Sequence, residues 1–309
     1  MNKKLLITIP LISITLVIGS VLVYYFSLLS SVKKLKDHYP VYNAKISGYE
    51  LVAKKPAHWV KLSDISLEAQ KAIVISEDWA FYDHDGIDTH QIEIAIKDSL
   101  DEGKLTRGAS TITQQVVKNA LLSNERSLVR KLKEVMLATE LEKVLTKDQI
   151  LEHYLNLIEL GKDLYGIKNA SQFYFAKQPS ELNAKEGAFL AMLLPSPVKY
   201  SQSYRDKKLT NFAKEQIDQI LVKLRQAKVI DEDKRVIYTD KPLSFEKVLK
   251  VDMYKPKDVD YKSDGYEAET KSYEGDVYEY NNQKKEAEKI LKDVQDEALD
   301  MDKDPEGEY

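Results

Sequence analysis

The chain predicts a mainly α-helical domain behind one N-terminal membrane-spanning helix, and three observations carry that expectation. Residues Leu5 to Phe26 form an uncharged run of 22, LLITIPLISITLVIGSVLVYYF, long enough as a helix to cross about 30 Å of hydrocarbon. Downstream, capping residues repeatedly precede segments whose apolar positions recur every three or four residues, the spacing that gathers them on one helix face. A length of 309 residues with 43% hydrophobic content leaves room for one sizeable core plus appendages.

Residues 1–4 are a short terminus and residues 5–27 the anchor. A cleaved signal peptide fits less well, because its apolar stretch is usually about 7–15 residues and no A-x-A site follows here; Pro10 is tolerated in a spanning helix. Residues 28–58 read as a linker, part extended and part loop, with Pro40 and Pro56 within it. The domain is expected over 59–240. Its first helix starts at Ser66 with Ala69, Ala72, Ile73 and Ala80 as its apolar positions, so Glu77 falls near its C-terminal end, before a turn at Tyr82 to Gly86. The next helix starts at Ser110, whose hydroxyl is placed to cap the free amides of STITQQVVKNALL, with Gly108 allowing a tight backbone approach. Thr146 with Gln149, and Asn183 with Glu186, form capping-box patterns before ILEHYLNLI and GAFLAMLL; Pro195 and Pro197 stop the latter. A further amphipathic helix runs from Leu209 to Ala227. Residues 241–309 are acidic, rich in Tyr and poor in aliphatic side chains, a composition that reads as disordered.

The net charge of −4 hides an asymmetry. From Val251 onward 9 Lys face 19 Asp or Glu, which leaves +6 on the rest of the chain. That basic part suits a domain set against anionic lipid headgroups and handling an anionic ligand. There is no cysteine, which excludes a disulfide framework and a thiolate metal site. Lys3 and Lys4 before the anchor against Lys33, Lys34 and Lys36 after it leave the positive-inside rule nearly balanced.

The chemistry-bearing residues lie between Glu77 and Glu134. In SEDWAFYDHDGID, Glu77 is followed by Asp78, Phe81, His84 and Gly86; a carboxylate near the apolar Trp79 and Phe81 can have its proton affinity raised toward the working pH. In STITQQVVKN, Thr111, Gln115 and Lys118 fall at i, i+4 and i+7, so one helix face presents hydroxyl, amide and ammonium together, with Gln114 alongside. The helix start adds free N–H groups and the positive end of a dipole. In RSLVRKLKEV, Arg130, Lys131 and Glu134 fall within about one turn. Each pattern has an ordinary reading too: a solvated acidic pair, a capped surface helix, an ion pair worth a few tenths of a kcal/mol. Taken together they describe group transfer from an anionic donor, with a carboxylate to take a proton from an attacking hydroxyl and cations to hold a leaving phosphate.

These segments, followed by KDQILEHYLNLIELGKDLYGIKNASQFYF and LNAKEGAFLAMLLPSPVKY, resemble in order the peptidoglycan glycosyltransferases of family 51, which polymerise the cell-wall precursor lipid II. The resemblance covers roughly Trp59 to Lys228, and the joint match of ExxxFxxHxG, GASTITQQ, RKxxE and the YLN-to-YF block is very specific. After YLN the sequence departs mildly, with Lys162 and Asp163 where Gly-containing pairs are common, which alters a loop. Tyr154, Leu155, Phe173 and Tyr174 read as core.

The resemblance implies a lysozyme-like glycosyltransferase domain. It makes Glu77 the general base at the acceptor's sugar 4-hydroxyl and Glu134 a second essential carboxylate that positions basic groups or a divalent ion, Mg or Mn; no cofactor is required by the sequence. It makes Asp78, Phe81, His84, Ser110, Thr111, Gln114, Gln115, Lys118, Asn119, Arg130 and Lys131 the substrate-binding set, with Lys118, Arg130 and Lys131 on the pyrophosphate. It implies residence in the cytoplasmic (inner) membrane as a single-pass protein, residues 1–4 inside and the catalytic domain on the outer, periplasmic side. The implied partners are lipid II, the growing glycan strand, membrane lipids and other cell-wall synthesis proteins, with no nucleic acid. SVKK (Ser31 to Lys34) and SPVK (Ser196 to Lys199) match the SxxK motif of penicillin-binding transpeptidases, but no K-T-G box accompanies them, so both are chance. Two alternatives stand beside this reading: a lysozyme-like glycan hydrolase, which must protonate a poor leaving group, and a catalytically silent membrane scaffold of the wall-synthesis machinery, which has no need of intact catalytic blocks.

Overall fold

A computed structural model describes residues 3–102, 110–123, 125 and 127–247, with side chains not described at 3–14, 17, 21, 99, 101 and 102. The tail beyond Lys247, Gly108 and Arg126 therefore lie outside the described residues. Helices dominate, as the capping patterns predict.

The apolar run lies within α1 (Lys3–Lys34), and Val32 and Leu35 at its end are buried in the domain core. Among the described residues no helix is long and apolar enough to cross a membrane; residues 5–14 of the run are among those without described side chains. The stretch read as a linker contains an antiparallel hairpin, β1 (Tyr39–Asn43) and β2 (Gly48–Val52), with Tyr39 opposite Val52 and Asn43 opposite Gly48. It packs on the domain, and the Tyr49 hydroxyl donates to the carbonyl of Leu157.

The helix from Ser66 is α2 (Leu67–Glu77), with the Ser66 hydroxyl accepting from the Ala69 amide and the chain leaving the helix at Asp78. Next comes α3 (Thr89–Glu102), which sequence reading passed over. Its QIEIAI stretch alternates with the period of a strand, and the helix signal lies instead in Asp88, whose carboxylate accepts from the Gln91 amide at 2.9 Å. Then follow α4 (Ile112–Leu121), α5 (Leu128–Val144) and α6 (Lys147–Leu157), the last capped by the Thr146–Gln149 box. A short β3 (Glu159–Gly161) and β4 (Leu164–Tyr165) pair leads to α7 (Ile167–Phe175).

The Asn183–Glu186 box opens α8 (Ala184–Leu193), every residue of which is buried. It is the central helix, lying against α2 and α11. A β-carbon at Gly187 would come within 2.7 Å of the Ala69 α-carbon, so α2 and α8 approach as closely as they do only because that position is glycine and its neighbours are alanine. Two single turns, α9 (Pro197–Tyr200) and α10 (Gln202–Arg205), precede α11 (Asn211–Gln226) and α12 (Glu232–Asp240). Packing continues past Asp240: Leu243 is buried, and Phe245 stacks on Phe175 and meets Phe189.

For function, the useful arrangement is α4 flanked by α5 and α6, with the end of α2 running up to the start of α4. That start is capped by Thr111, which corrects the expectation of Ser110. STITQQ offers a hydroxyl at both positions, but only Thr111 has Gln three residues on. Its hydroxyl accepts from the Gln114 amide at 3.2 Å while Gln114 Oε1 accepts from the Thr111 amide at 2.9 Å, which satisfies two free donors at once.

Candidate active site

Glu77 is the last residue of α2 and partly buried. Two helices bring neutral donors to it. The Gln115 amide of α4 donates to Glu77 Oε2 at 2.8 Å, and the Tyr154 hydroxyl of α6 lies 3.4 Å from that oxygen and 3.3 Å from Gln115 Oε1. Burial pushes the Glu77 pKa above the ordinary carboxylate range; the two hydrogen bonds pull it back, the Asp78 charge adds to the rise, and the Lys118 ammonium opposes it. A carboxylate so placed binds a proton more readily than an exposed one, which suits it to accept one from a hydroxyl.

Glu134, on α5, is built differently. It is buried, yet Arg130 Nη1 donates to one oxygen at 2.7 Å and Lys131 Nζ pairs with the other. Lys131 also donates to the Ser110 hydroxyl at 2.8 Å, which explains Ser110: it ties the α4 entrance to the cations. Lys118, on α4, feels both carboxylates. Desolvation lowers its pKa, Arg130 and Lys131 act in the same direction, and Glu134 and Glu77 oppose. Three cations thus lie around one turn of α5 and the exposed side of α4, an arrangement that can neutralise an anionic leaving group.

The remaining expected residues divide. Asp78 is buried and structural: its carboxylate accepts from the Ile112 amide at 2.9 Å and from His84 Nε2 at 3.0 Å. The Gly86 amide donates to His84 Nδ1 at 3.1 Å, so the ring proton sits on Nε2, facing Asp78. Gly86 itself has φ +86°, and a β-carbon there would meet the Ala138 carbonyl oxygen at 2.9 Å, which fixes the turn against α5. The Thr111 hydroxyl donates to the Gly86 carbonyl at 2.7 Å, so the same turn holds the α4 cap.

Phe81 and Gln114 are corrected as substrate contacts, since Phe81 has no exposed surface and Gln114 spends its side chain on the cap. Phe81 packs under the site with the Lys147 ammonium 4.6 Å from its ring centre. Asn119 lies on the opposite end of α4, lining a separate cavity of about 710 Å³ with Tyr42, Glu159 and Tyr165. Of the four aromatic and aliphatic residues read as core, Tyr154, Leu155 and Tyr174 are buried, whereas Phe173 is exposed against Tyr204.

Sequence reading missed the reach of Tyr154 to Glu77, because a buried Tyr in YLN carries no sign of where its hydroxyl points. It also missed a support beneath the site, where Glu142 accepts from Thr113 at 2.6 Å and pairs with Lys147 at 2.7 Å. A cavity of about 270 Å³ opens beside Glu77, lined also by Trp79, Gln91, Ser110, Thr111 and Lys223. The residues do not fit a protein-held divalent ion: both Glu134 oxygens are committed to cations, and among the described residues no group of three His, Asp or Glu is placed to hold one.

The sequence profile described as Transglycosylase matches residues 44–225, more than half of the chain. The chain belongs to the transglycosylase family. It is therefore a family 51 peptidoglycan glycosyltransferase, as the ordered blocks imply. A biosynthetic peptidoglycan transglycosylase of Acinetobacter baumannii (strain SDF) is 40% identical over 151 residues, 49% of this chain and 67% of that protein. One from Shewanella denitrificans is 49% identical over 140 residues, 45% of this chain and 61% of that protein. A penicillin-binding protein 1A of Clostridium perfringens is 44% identical over 155 residues, 48% of this chain but 23% of that one. The match thus spans about two thirds or less of the length of these relatives.

Proposed function

We propose that this transglycosylase polymerises lipid II into β-1,4-linked glycan strands and releases undecaprenyl pyrophosphate, with no transpeptidase activity. The acceptor's 4-hydroxyl oxygen attacks the anomeric carbon of the donor sugar, its proton passes to Glu77, and the bond from that carbon to the pyrophosphate oxygen breaks. The electron pair leaves with the pyrophosphate, whose charge Lys118, Arg130 and Lys131 neutralise, so no general acid is needed at the leaving oxygen. Attack from the opposite face converts the α bond of the donor into a β bond. The observation that carries this reading is the contrast at one cleft between a carboxylate held by neutral donors and a carboxylate spent on cations. A lysozyme-type hydrolase needs a second free carboxylate beside its acid, as nucleophile or base, and Glu134, with both oxygens engaged by cations, is not free for that task.

The 22-residue apolar run supports a single-pass anchor, and the resemblance to the family, not the nearly balanced flanking charge, supports the cytoplasmic membrane with the catalytic domain outside. Incubating the detergent-solubilised full chain with labelled lipid II should yield polymer that moenomycin, the family's inhibitor, suppresses. Absence of polymer from folded protein, or release of soluble sugar from preformed glycan, would count against the proposal.

A further inference from the structure

Beyond Glu134, α5 buries a second carboxylate. Glu142 lies two turns further along the same side of the helix, with Ala138 between them, and its side chain is 6% exposed against 3% for Glu134. Glu134 holds the cations. Glu142 touches none of them: its Oε1 accepts from the Thr113 hydroxyl at 2.6 Å and pairs with the Lys147 ammonium at 2.7 Å. Lys147 in turn donates to the His84 carbonyl and sets its ammonium 4.6 Å from the centre of the Phe81 ring.

These contacts converge on the surroundings of Glu77. Phe81 and His84 belong to the turn that follows it, and that turn rests on α5, where a β-carbon at Gly86 would meet the Ala138 carbonyl oxygen at 2.9 Å and the Glu142 γ-carbon at 3.2 Å. Thr113 stands two residues before Gln115 on α4, and Lys147 opens α6, seven residues before Tyr154. Glu77, Gln115 and Tyr154 meet at one carboxylate but come from three different elements. The Glu142–Lys147 pair is bonded to all three. Stability alone gives little reason for it, since withdrawing two charges from water costs about what their attraction returns, and apolar side chains of similar size would fill the space as well. An ammonium aimed at a carboxylate, a carbonyl and a ring face supplies directions that no apolar side chain reproduces.

We infer that Glu142 and Lys147 are positioning residues for the general base: the pair locks the turn after Glu77 to α4 and α6, so that the carboxylate, the Gln115 amide and the Tyr154 hydroxyl keep one mutual geometry through the reaction. The inference rests on the function proposed above for the role of Glu77. Two carboxylates about 12 Å apart along α5 then have parallel tasks, Glu134 ordering the cations and Glu142 ordering the base.

The test removes both charges together in Glu142→Gln/Lys147→Met, because Lys147→Met alone leaves a buried carboxylate without its cation and should unfold more easily. In the double variant Gln still accepts from Thr113 and Met still packs on Phe81, so melting should stay near that of the wild type, and circular dichroism verifies the fold. Polymerisation of labelled lipid II by the full chain in detergent should nevertheless lose roughly 10- to 100-fold in kcat, the scale of a misplacement of about 1 Å, with the KM for lipid II nearly unchanged. The acid limb of the kcat/KM profile should also move to higher pH. Gln115 and Tyr154 lower the Glu77 pKa only while they are held against it, and the charged neighbours Asp78 and Lys118 are the same in both proteins. A merely structural pair would leave the limb in place.

A second readout needs no turnover. Glu77→Gln is introduced into the wild type and into the double variant, and melting is followed between about pH 4 and pH 8. A carboxyl with loosened donors has a higher pKa and costs more to ionise, so the gain from Glu77→Gln on reaching pH 8 should be larger in the double variant. If the wild type makes no polymer, the proposed function fails, and this comparison still decides whether the pair holds the surroundings of Glu77. A near wild-type kcat with an unmoved limb, or an equal melting gain in the two backgrounds, overturns the inference.

Discussion

The two carboxylates of the cleft are a controlled comparison made by the protein itself. Glu77 ends a helix, and its partners are an amide and a phenol, both neutral; Glu134 sits inside a helix and its partners are a guanidinium and an ammonium. Both are largely withdrawn from water, so burial alone does not distinguish them. Partner charge does. Neutral donors leave the desolvation of Glu77 only partly offset, and its pKa rises; Glu134 hands its charge to two cations and fixes them in place. One carboxylate is kept able to take a proton, and the other is kept as a scaffold for positive charge.

The most forceful way to break this comparison is Glu77→Gln. It preserves size and the bonds to Gln115 and Tyr154 but removes basicity, so polymerisation should fall by about 10²–10⁴-fold, the range for loss of a general base. The same variant carries a stability signature of opposite sign. A carboxyl whose pKa is raised by folding contributes stability that is present at low pH and lost as pH rises through its folded value. Glu77→Gln should therefore melt higher than wild type at pH 8, with the two curves converging below about pH 4, where the unfolded carboxyl is also protonated. A variant that is inactive and also less stable at pH 8 would mean that Glu77 is held in place by its charge, and the contrast with Glu134 would collapse.

Arg130→Ala sharpens the other half. Losing one preorganised donor to developing charge should cut turnover about 10²-fold. It also leaves buried Glu134 with Lys131 alone, so melting should drop, by less than the roughly 3–5 kcal/mol of a fully orphaned buried charge. Glu134→Gln should reduce turnover less than Glu77→Gln and raise the donor KM, because Arg130 and Lys131 lose the group that orders them. If Glu134→Gln matched Glu77→Gln in kcat with donor KM unchanged, Glu134 would be doing proton chemistry and not charge scaffolding.

What was legible in the sequence follows the range of the interactions involved. Caps and helices whose signals are local, such as Thr146 with Gln149 and Asn183 with Glu186, were read correctly because donor and acceptor lie three residues apart. The cation group on α5 was legible for the same reason: Arg130, Lys131 and Glu134 meet through helix spacing alone. Gln115 was placed on the right helix face, but its bond to Glu77 spans 38 positions and that of Tyr154 spans 77, distances at which a single sequence carries no pairing information. Phe81 and Gln114 were misjudged as contacts because a residue inside a functional block can serve the block by packing or capping. Lys223 was invisible, an ordinary helix-surface lysine until the fold brings it to the cavity beside Glu77.

The smallest expected effect probes the neutral side of the comparison most directly. Tyr154→Phe deletes one hydroxyl from a fully buried ring and leaves the packing otherwise intact. That hydroxyl is one of two donors that lower the Glu77 pKa against the rise caused by burial, so its removal must push the base's pKa further up. The acid limb of the pH profile of kcat/KM reports the free enzyme's essential base and should move to higher pH, while the plateau above it changes little. At a pH on the limb, turnover should fall a few-fold; well above it, the variant and wild type should converge. A purely structural role for Tyr154 would lower the rate evenly at all pH values, and a limb that stays put under such a uniform loss would show that the phenol does not tune Glu77. Tyr154 would then be a core residue only, and Gln115 the sole neutral donor that separates the chemistry of Glu77 from that of Glu134.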